Sequence, residues 1–247
     1  MKRAGNGVIA AGVCILALFV GVAGAATIVG DDNDNVLTGT PEADQIDAKG
    51  GNDLVNALPG PDRVRAGDGD DDVTAGRGRD AVSGGAGSDT IRGEEGRDLL
   101  VGGDGDDRIG GGEKGDIVKG GAGDDQLGGG GGRDLIRGRE GDDREDGGAG
   151  NDVIYAGPGV DIAFGGDGDD RMFARARADV PVSGADTVFS GAGNDIIFVR
   201  DGEADVVGCG SGRDRVVADS EDVIRNSCER VRIGEPRPQD DDQEVLR

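Results

Sequence analysis

Gly84-Gly85-Ala86-Gly87-Ser88-Asp89-Thr90-Ile91-Arg92 is one copy of a nine-residue unit, G-G-x-G-x-D-x-U-x with U aliphatic, that runs through most of this chain. Counted outward from Asp89, an aspartate returns at every ninth residue: Asp44, Asp53, Asp62, Asp71, Asp80, Asp89, Asp98, Asp107, Asp116, Asp125, Asp134, Asp143, Asp152, Asp161 and Asp170, with Asn35 one step before the first. Two residues after each stands an aliphatic, from Leu37, Ile46 and Val55 through Ile136, Ile154 and Met172; Glu145 and Ala163 are the exceptions. The Gly-rich part of the unit reaches positive φ and turns tightly, whereas x-U-x makes a three-residue strand whose middle side chain points to one face. One unit buries almost nothing, so the units must stack in parallel to share an interior. The glycine frequency and the period of nine exclude a helix.

A longer period gives the number of units per coil. The residue before the repeating aspartate is Asp70, Asp106, Asp124 and Asp142 in odd-numbered units, but Arg79, Arg97 and Arg133 in even-numbered ones. These spacings are multiples of 18, so residues 18 apart stack on one edge. The expected fold is all-β: a flattened roll of parallel-stacked units with two nonapeptides per turn, hence two walls and two turn edges. From Gly30 to Phe173 there are 144 residues, enough for 16 units and 8 turns, or roughly 40 Å at the spacing of paired strands. Odd units line the wall in which Glu145 and Ala163 replace the aliphatic, so that wall is expected to pack poorly near its end.

After Phe173 the register breaks. Residues 174–180 form an insertion; Asp186, Asp195, Asp205 and Asp214 then resume the pattern with Val188, Ile197, Val207 and Val216. Residues 181–233 thus read as a degenerate repeat block that caps the roll. Residues 234–247, with Pro236, Pro238 and Asp240 to Asp242, read as a disordered acidic tail. Tyr155, Phe164, Phe173, Phe189 and Phe198 each take the last place of a unit and are expected to pack the insertion and the end against the roll, in preference to forming a ligand patch.

Composition narrows the chemistry. Of 247 residues 52 are Gly, Phe and Tyr number 5 and 1, and Trp and His are absent. No core of large rings is available, and the commonest general base and zinc ligand is missing. The net charge of −24 repels nucleic acid and anionic membranes but attracts cations, a metal first among them. Residues 1–25 begin with Lys2 and Arg3, continue in an apolar run from Val8 to about Val22, and end in Ala23-Gly24-Ala25, the pattern of a secretory signal peptide. The alternative is an uncleaved membrane anchor. Cleavage would remove two basic residues and leave −26. Of the three cysteines, Cys209 and Cys228 would remain; an even count in an exported chain points to a disulfide between them, with Val223 and Val231 helping to staple the cap.

The repeated unit resembles the RTX, or haemolysin-type calcium-binding, nonapeptide repeat, and the resemblance implies an all-β, right-handed parallel β-roll solenoid with the degenerate C-terminal block as its cap. The resemblance implies multiple Ca²⁺ ions between stacked turns, each held by loop carbonyls and aspartate carboxylates of one unit and of the unit two further along. The candidate ligands are the fifteen aspartates from Asp44 to Asp170, with Asp186 and Asp195 beyond them. Calcium takes six to eight oxygens, and eight stacked turns leave room for at most about 14 ions. Glu42 and Lys114 in place of the fourth-position Gly, and Asn35 in place of Asp, mark units whose sites should depart from the pattern. Doubled acids such as Asp106-Asp107 should make the odd edge bind more tightly than the even edge, unless the fifth-position side chains simply face water.

Other motifs are poorer fits. Asp68-Gly69-Asp70-Asp71-Asp72 resembles an EF-hand loop superficially, but Val73 occupies the place of its glycine. Gly128 to Gly132 lacks the lysine of a phosphate-binding loop. The resulting expectation is a secreted, non-enzymatic calcium-binding scaffold or surface protein whose roll folds on extracellular Ca²⁺. It would bind no nucleic acid, would not remain inserted in a membrane, and would have a partner, if any, at a cell surface or in a matrix. A calcium-dependent adhesin or glycan-binding protein is the alternative. A secreted hydrolase is a more distant one, because the repeats begin directly after the leader.

Overall fold

The computed structural model describes residues 24–174, 184–225 and 227–234. Residues 1–23, 175–183, 226 and 235–247 lie outside the described residues, and with them most of the expected signal peptide, insertion and tail. The described chain is all strand and turn, wound as a β-solenoid of about 11 turns. One 12-stranded sheet runs from Thr27–Val29 to Arg230–Ile233 and the other from Val36–Thr38 to Val223–Ile224, with Ser211–Gly212 paired off its path. Apart from Ser211–Gly212, consecutive strands alternate between the two sheets, and each pairs in parallel with the strand one coil away. Each regular coil advances 18 residues, as in Ile46↔Val64↔Val82 on one wall and Val55↔Val73↔Ile91 on the other.

The strands are longer than the three residues of x-U-x. Arg108–Glu113 and Thr90–Gly96 run on into the next unit's first positions because backbone pairing resumes beyond each bend, as at Gly112↔Gly130. Close stacking explains the glycines there. Gly85 has φ +136°, and a Cβ on it would lie 1.9 Å from the carbonyl oxygen of Gly67 on the preceding coil. Glu94 occupies the equivalent place at φ 75°, a conformation an L-residue adopts at a cost.

The interior is one aliphatic per unit, each almost wholly buried, supplemented by Ala48, Ala57, Ala66 and Ala75. Glu145 takes its place among them, pairing in register with Leu127 before it and Ala163 after it, and it is 0% exposed. The expected fault in that wall is therefore a buried carboxylate.

The degenerate block continues both sheets of the roll. Across the insertion the coil lengthens to 25 residues, seen in Met172↔Ile197 and Ala163↔Val188, and later coils take 19, 17 and 15, as in Val188↔Val207, Val207↔Ile224 and Val216↔Val231. Cys209 and Cys228 form the expected disulfide and tie the last coils together. Val223 and Val231 do not share in that staple: they are 57% and 41% exposed, and Val207, Val216 and Ala218 fill the interior instead. The aromatic residues stack on one another along the walls. Tyr155, Phe173 and Phe198 have centroids 4.6 and 4.9 Å apart, and Phe164 lies 5.5 Å from Phe189. Their parallel planes cover one another's faces, which makes them a clasp between coils of unequal length.

Candidate metal centre

Where the chain turns from one wall to the other, strand pairing alone leaves the amide of each repeating aspartate without a carbonyl partner. The aspartate of the next coil supplies the acceptor. Asp89 N–H donates to Asp107 Oδ1 at 2.8 Å, Asp107 N–H donates to Asp125 Oδ1 at 2.8 Å, and Asp125 N–H donates to Asp143 Oδ1 at 2.9 Å. The opposite edge repeats this through Asp62, Asp80, Asp98, Asp116, Asp134, Asp152 and Asp170. Every candidate from Asp44 to Asp195 lies on one of these two ladders, and none is more than 4% exposed.

Each carboxylate thus spends one oxygen on the ladder. The other, Oδ2, is buried without a hydrogen-bond partner at Asp53, Asp62, Asp71, Asp80, Asp89, Asp98, Asp107, Asp116, Asp125, Asp134, Asp143, Asp152, Asp161, Asp170 and Asp195. These oxygens point at the glycine turn. A Cβ on Gly84 would sit 2.0 Å from Asp89 Oδ2 and 2.8 Å from the carbonyl oxygen of Gly102 on the next coil. Buried anionic oxygens beside carbonyls of two coils are the donor set a hard divalent cation takes, and calcium suits it best because its coordination is large and flexible. The residues present fit the ion.

Burial raises the repeating carboxylates from Asp53 to Asp170 above their ordinary pKa, the ladder bond offsets part of the rise, and at most of them neighbouring acids add to it. Asp89 and Asp125 rise to about 7 and Asp143 to about 8. Asp186 rises to about 9, where burial is reinforced by the charges of Asp161, Asp205 and Asp201. Glu145 is pushed well above the usual glutamate range by burial first, then by Asp161, Asp143 and Asp186.

Two units depart from the pattern. At Asp44, Oδ2 accepts the Thr40 backbone N–H, and the Thr40 hydroxyl reaches the same carboxylate at 2.9 Å, so a side chain of the Glu42-bearing unit fills the place of a cation. Asn35 accepts the Asp31 N–H at 2.8 Å and donates to Asp31 Oδ1 at 3.2 Å. Lys114, by contrast, simply adopts the glycine conformation at φ 74°.

The fifth-position acids are exposed but do not merely face water. Asp124 N–H donates to Asp106 Oδ1 and Asp142 N–H to Asp124 Oδ1, both at 2.9 Å, which makes a second, outer ladder on the odd edge. Reading by nines reached Asp186, Asp195, Asp205 and Asp214 but missed the last rungs of the ladders, Asp222 and Glu229. Asp161 bonds to Asp186, Asp186 to Asp205, and Asp205 to Asp222 on one edge; Asp195 bonds to Asp214, and Asp214 to Glu229, on the other. Asp201, Glu203 and Asp205 also bring carboxylate oxygens within 4.8 Å of one another.

Substitution at one rung separates the ladder from the metal. Asp107→Asn is expected to keep the acceptor for the Asp89 amide but lose cation uptake at the adjoining gaps. Asp107→Ala loses both and leaves a buried N–H unsatisfied, for a further cost of about 1–3 kcal/mol. Denaturation in saturating Ca²⁺ measures the difference; equal stability of the two variants would deny the ladder bond any weight.

A family model for the RTX calcium-binding nonapeptide repeat, four copies long, matches residues 20–55, 49–82, 83–113, 110–145, 146–180 and 182–203. No curated protein matches the chain.

Proposed function

Because this chain belongs to the RTX calcium-binding nonapeptide-repeat family, we propose that it is a secreted, non-enzymatic scaffold or surface protein whose roll is held together by multiple Ca²⁺ ions and folds on meeting extracellular calcium. The observation that carries this reading is the row of buried, unpartnered Oδ2 atoms, repeated coil after coil beside glycine carbonyls. Such a row is costly without cations and cohesive with them. Each ion would join two coils, so binding and folding are coupled. Sites with a dissociation constant near 10⁻⁴ M would each contribute about 1.4 kcal/mol in millimolar Ca²⁺ and almost nothing at micromolar levels. A chain of this design stays unfolded inside a cell and folds outside it.

The odd edge should hold calcium more tightly, since the acids Asp70, Asp106 and Asp124 add negative potential at Asp89, Asp107 and Asp125. The stacked rings favour a structural role over sugar binding, because their faces are turned to each other. Fractionation of the source cells tests export. The mature protein is expected in the medium or at the surface with its first residue near Ala26, as read by mass spectrometry; a cytosolic pool with residues 1–25 intact would contradict it.

A further inference from the structure

We propose that Glu145, with Asp143 and Asp161, forms a three-carboxylate calcium site that reaches into the interior of the solenoid and is the first to fill. The inference rests on the calcium reading of the ladder and adds to it a position outside the repeated aspartates. Glu145 stands where this wall otherwise carries an aliphatic, is 0% exposed, and has neither carboxylate oxygen hydrogen-bonded. Its side chain is aimed at the turn. A Cβ on Gly138 would lie 2.5 Å from Glu145 Oε1, 2.3 Å from Asp143 Oδ2 and 2.5 Å from the Ala156 carbonyl oxygen. Asp143, Glu145 and Asp161 each bring a carboxylate oxygen within 4.8 Å of the others. Ala163, in register on the following coil, places only a methyl group beside the glutamate.

An ordinary gap offers two ladder carboxylates, one from each coil. Here a third is added from inside, along with a carbonyl, in a place closed to water. Calcium affinity rises with the number of charged ligands and the rigidity of the site, and an all-oxygen set selects a hard cation. A bound ion also removes the obstacle that an isolated carboxylate presents to packing of this wall. The site would accordingly nucleate the coils on either side of it.

Ca²⁺ titration of the full chain at neutral pH, followed by calorimetry and by competition with a chromophoric chelator, tests the proposal. The wild type should show one step about tenfold or more tighter than the rest. Glu145→Gln should abolish that step and leave the weaker uptake in place. Glu145→Leu, which restores the aliphatic found at Leu127, should fold with calcium and lack the same step. A tight step retained in either variant, or missing from the wild type, would overturn the proposal alone. A wild type that takes up no calcium would instead overturn the ladder reading on which the proposal rests.

Discussion

In excess EDTA at neutral pH the chain is expected to lose its strand circular dichroism and to expand, and millimolar Ca²⁺ is expected to restore both. The interior supplies only one small aliphatic per nonapeptide, with alanine or glycine between. Against it stand the ordering of many glycine-rich turns and a net charge of −24. The buried Oδ2 atoms add a penalty in each coil that nothing else in the described residues offsets. The disulfide between Cys209 and Cys228 constrains only the last coils, so it should not preserve the roll. Sedimentation velocity and circular dichroism on one sample read both quantities; unchanged strand content and unchanged sedimentation in EDTA would reject the coupling.

Acid should act in opposite directions with and without calcium. Without it, the folded state binds protons more tightly than the unfolded state, because burial lifts carboxylates from about 4 to about 6 at Asp62, Asp71 and Asp98 and to about 7 at Asp89, Asp116 and Asp125. For an acid raised on folding, the protonated form favours the fold. Its contribution is complete below the unfolded pKa near 4 and is lost as pH rises through the folded values of about 6 to 8. The metal-free chain should therefore become more structured as pH falls from 8 towards 4.5. With calcium bound, protons compete with the ion for the same oxygens, so stability should fall over the same range. Thermal melts at stepped pH, with chelator and with millimolar Ca²⁺, should give slopes of opposite sign. Parallel slopes would mean that the carboxylates do not exchange protons for calcium.

Reading by nines located the ladders because a solenoid converts sequence spacing directly into stacking: residues 18 apart become neighbours for as long as the coil length stays constant. Asp44 through Asp170 were legible for that reason. Asp222 and Glu229 were not, since the coils that place them take 17 and 15 residues and no fixed period reaches them. The bond that each aspartate makes to the coil before it was equally hidden, because it fills a gap in backbone pairing that appears only once the chain turns. Thr40 shows another limit. Its hydroxyl and amide occupy Asp44 through local loop geometry, which the repeat pattern does not carry. Glu145 was visible as an interruption of the aliphatic row, but the direction of its side chain, back towards Asp143, depends on the fold.

The most direct measurement follows bound calcium and molecular size together in a single titration, using equilibrium dialysis of radioactive Ca²⁺ and small-angle X-ray scattering on the same dialysed samples. Uptake and the fall in radius of gyration should trace one curve, both starting from an expanded, calcium-free chain. A chain already compact before the first ion binds, or one that fills its sites without contracting, would contradict the claim that calcium between the carboxylate rungs holds the coils together.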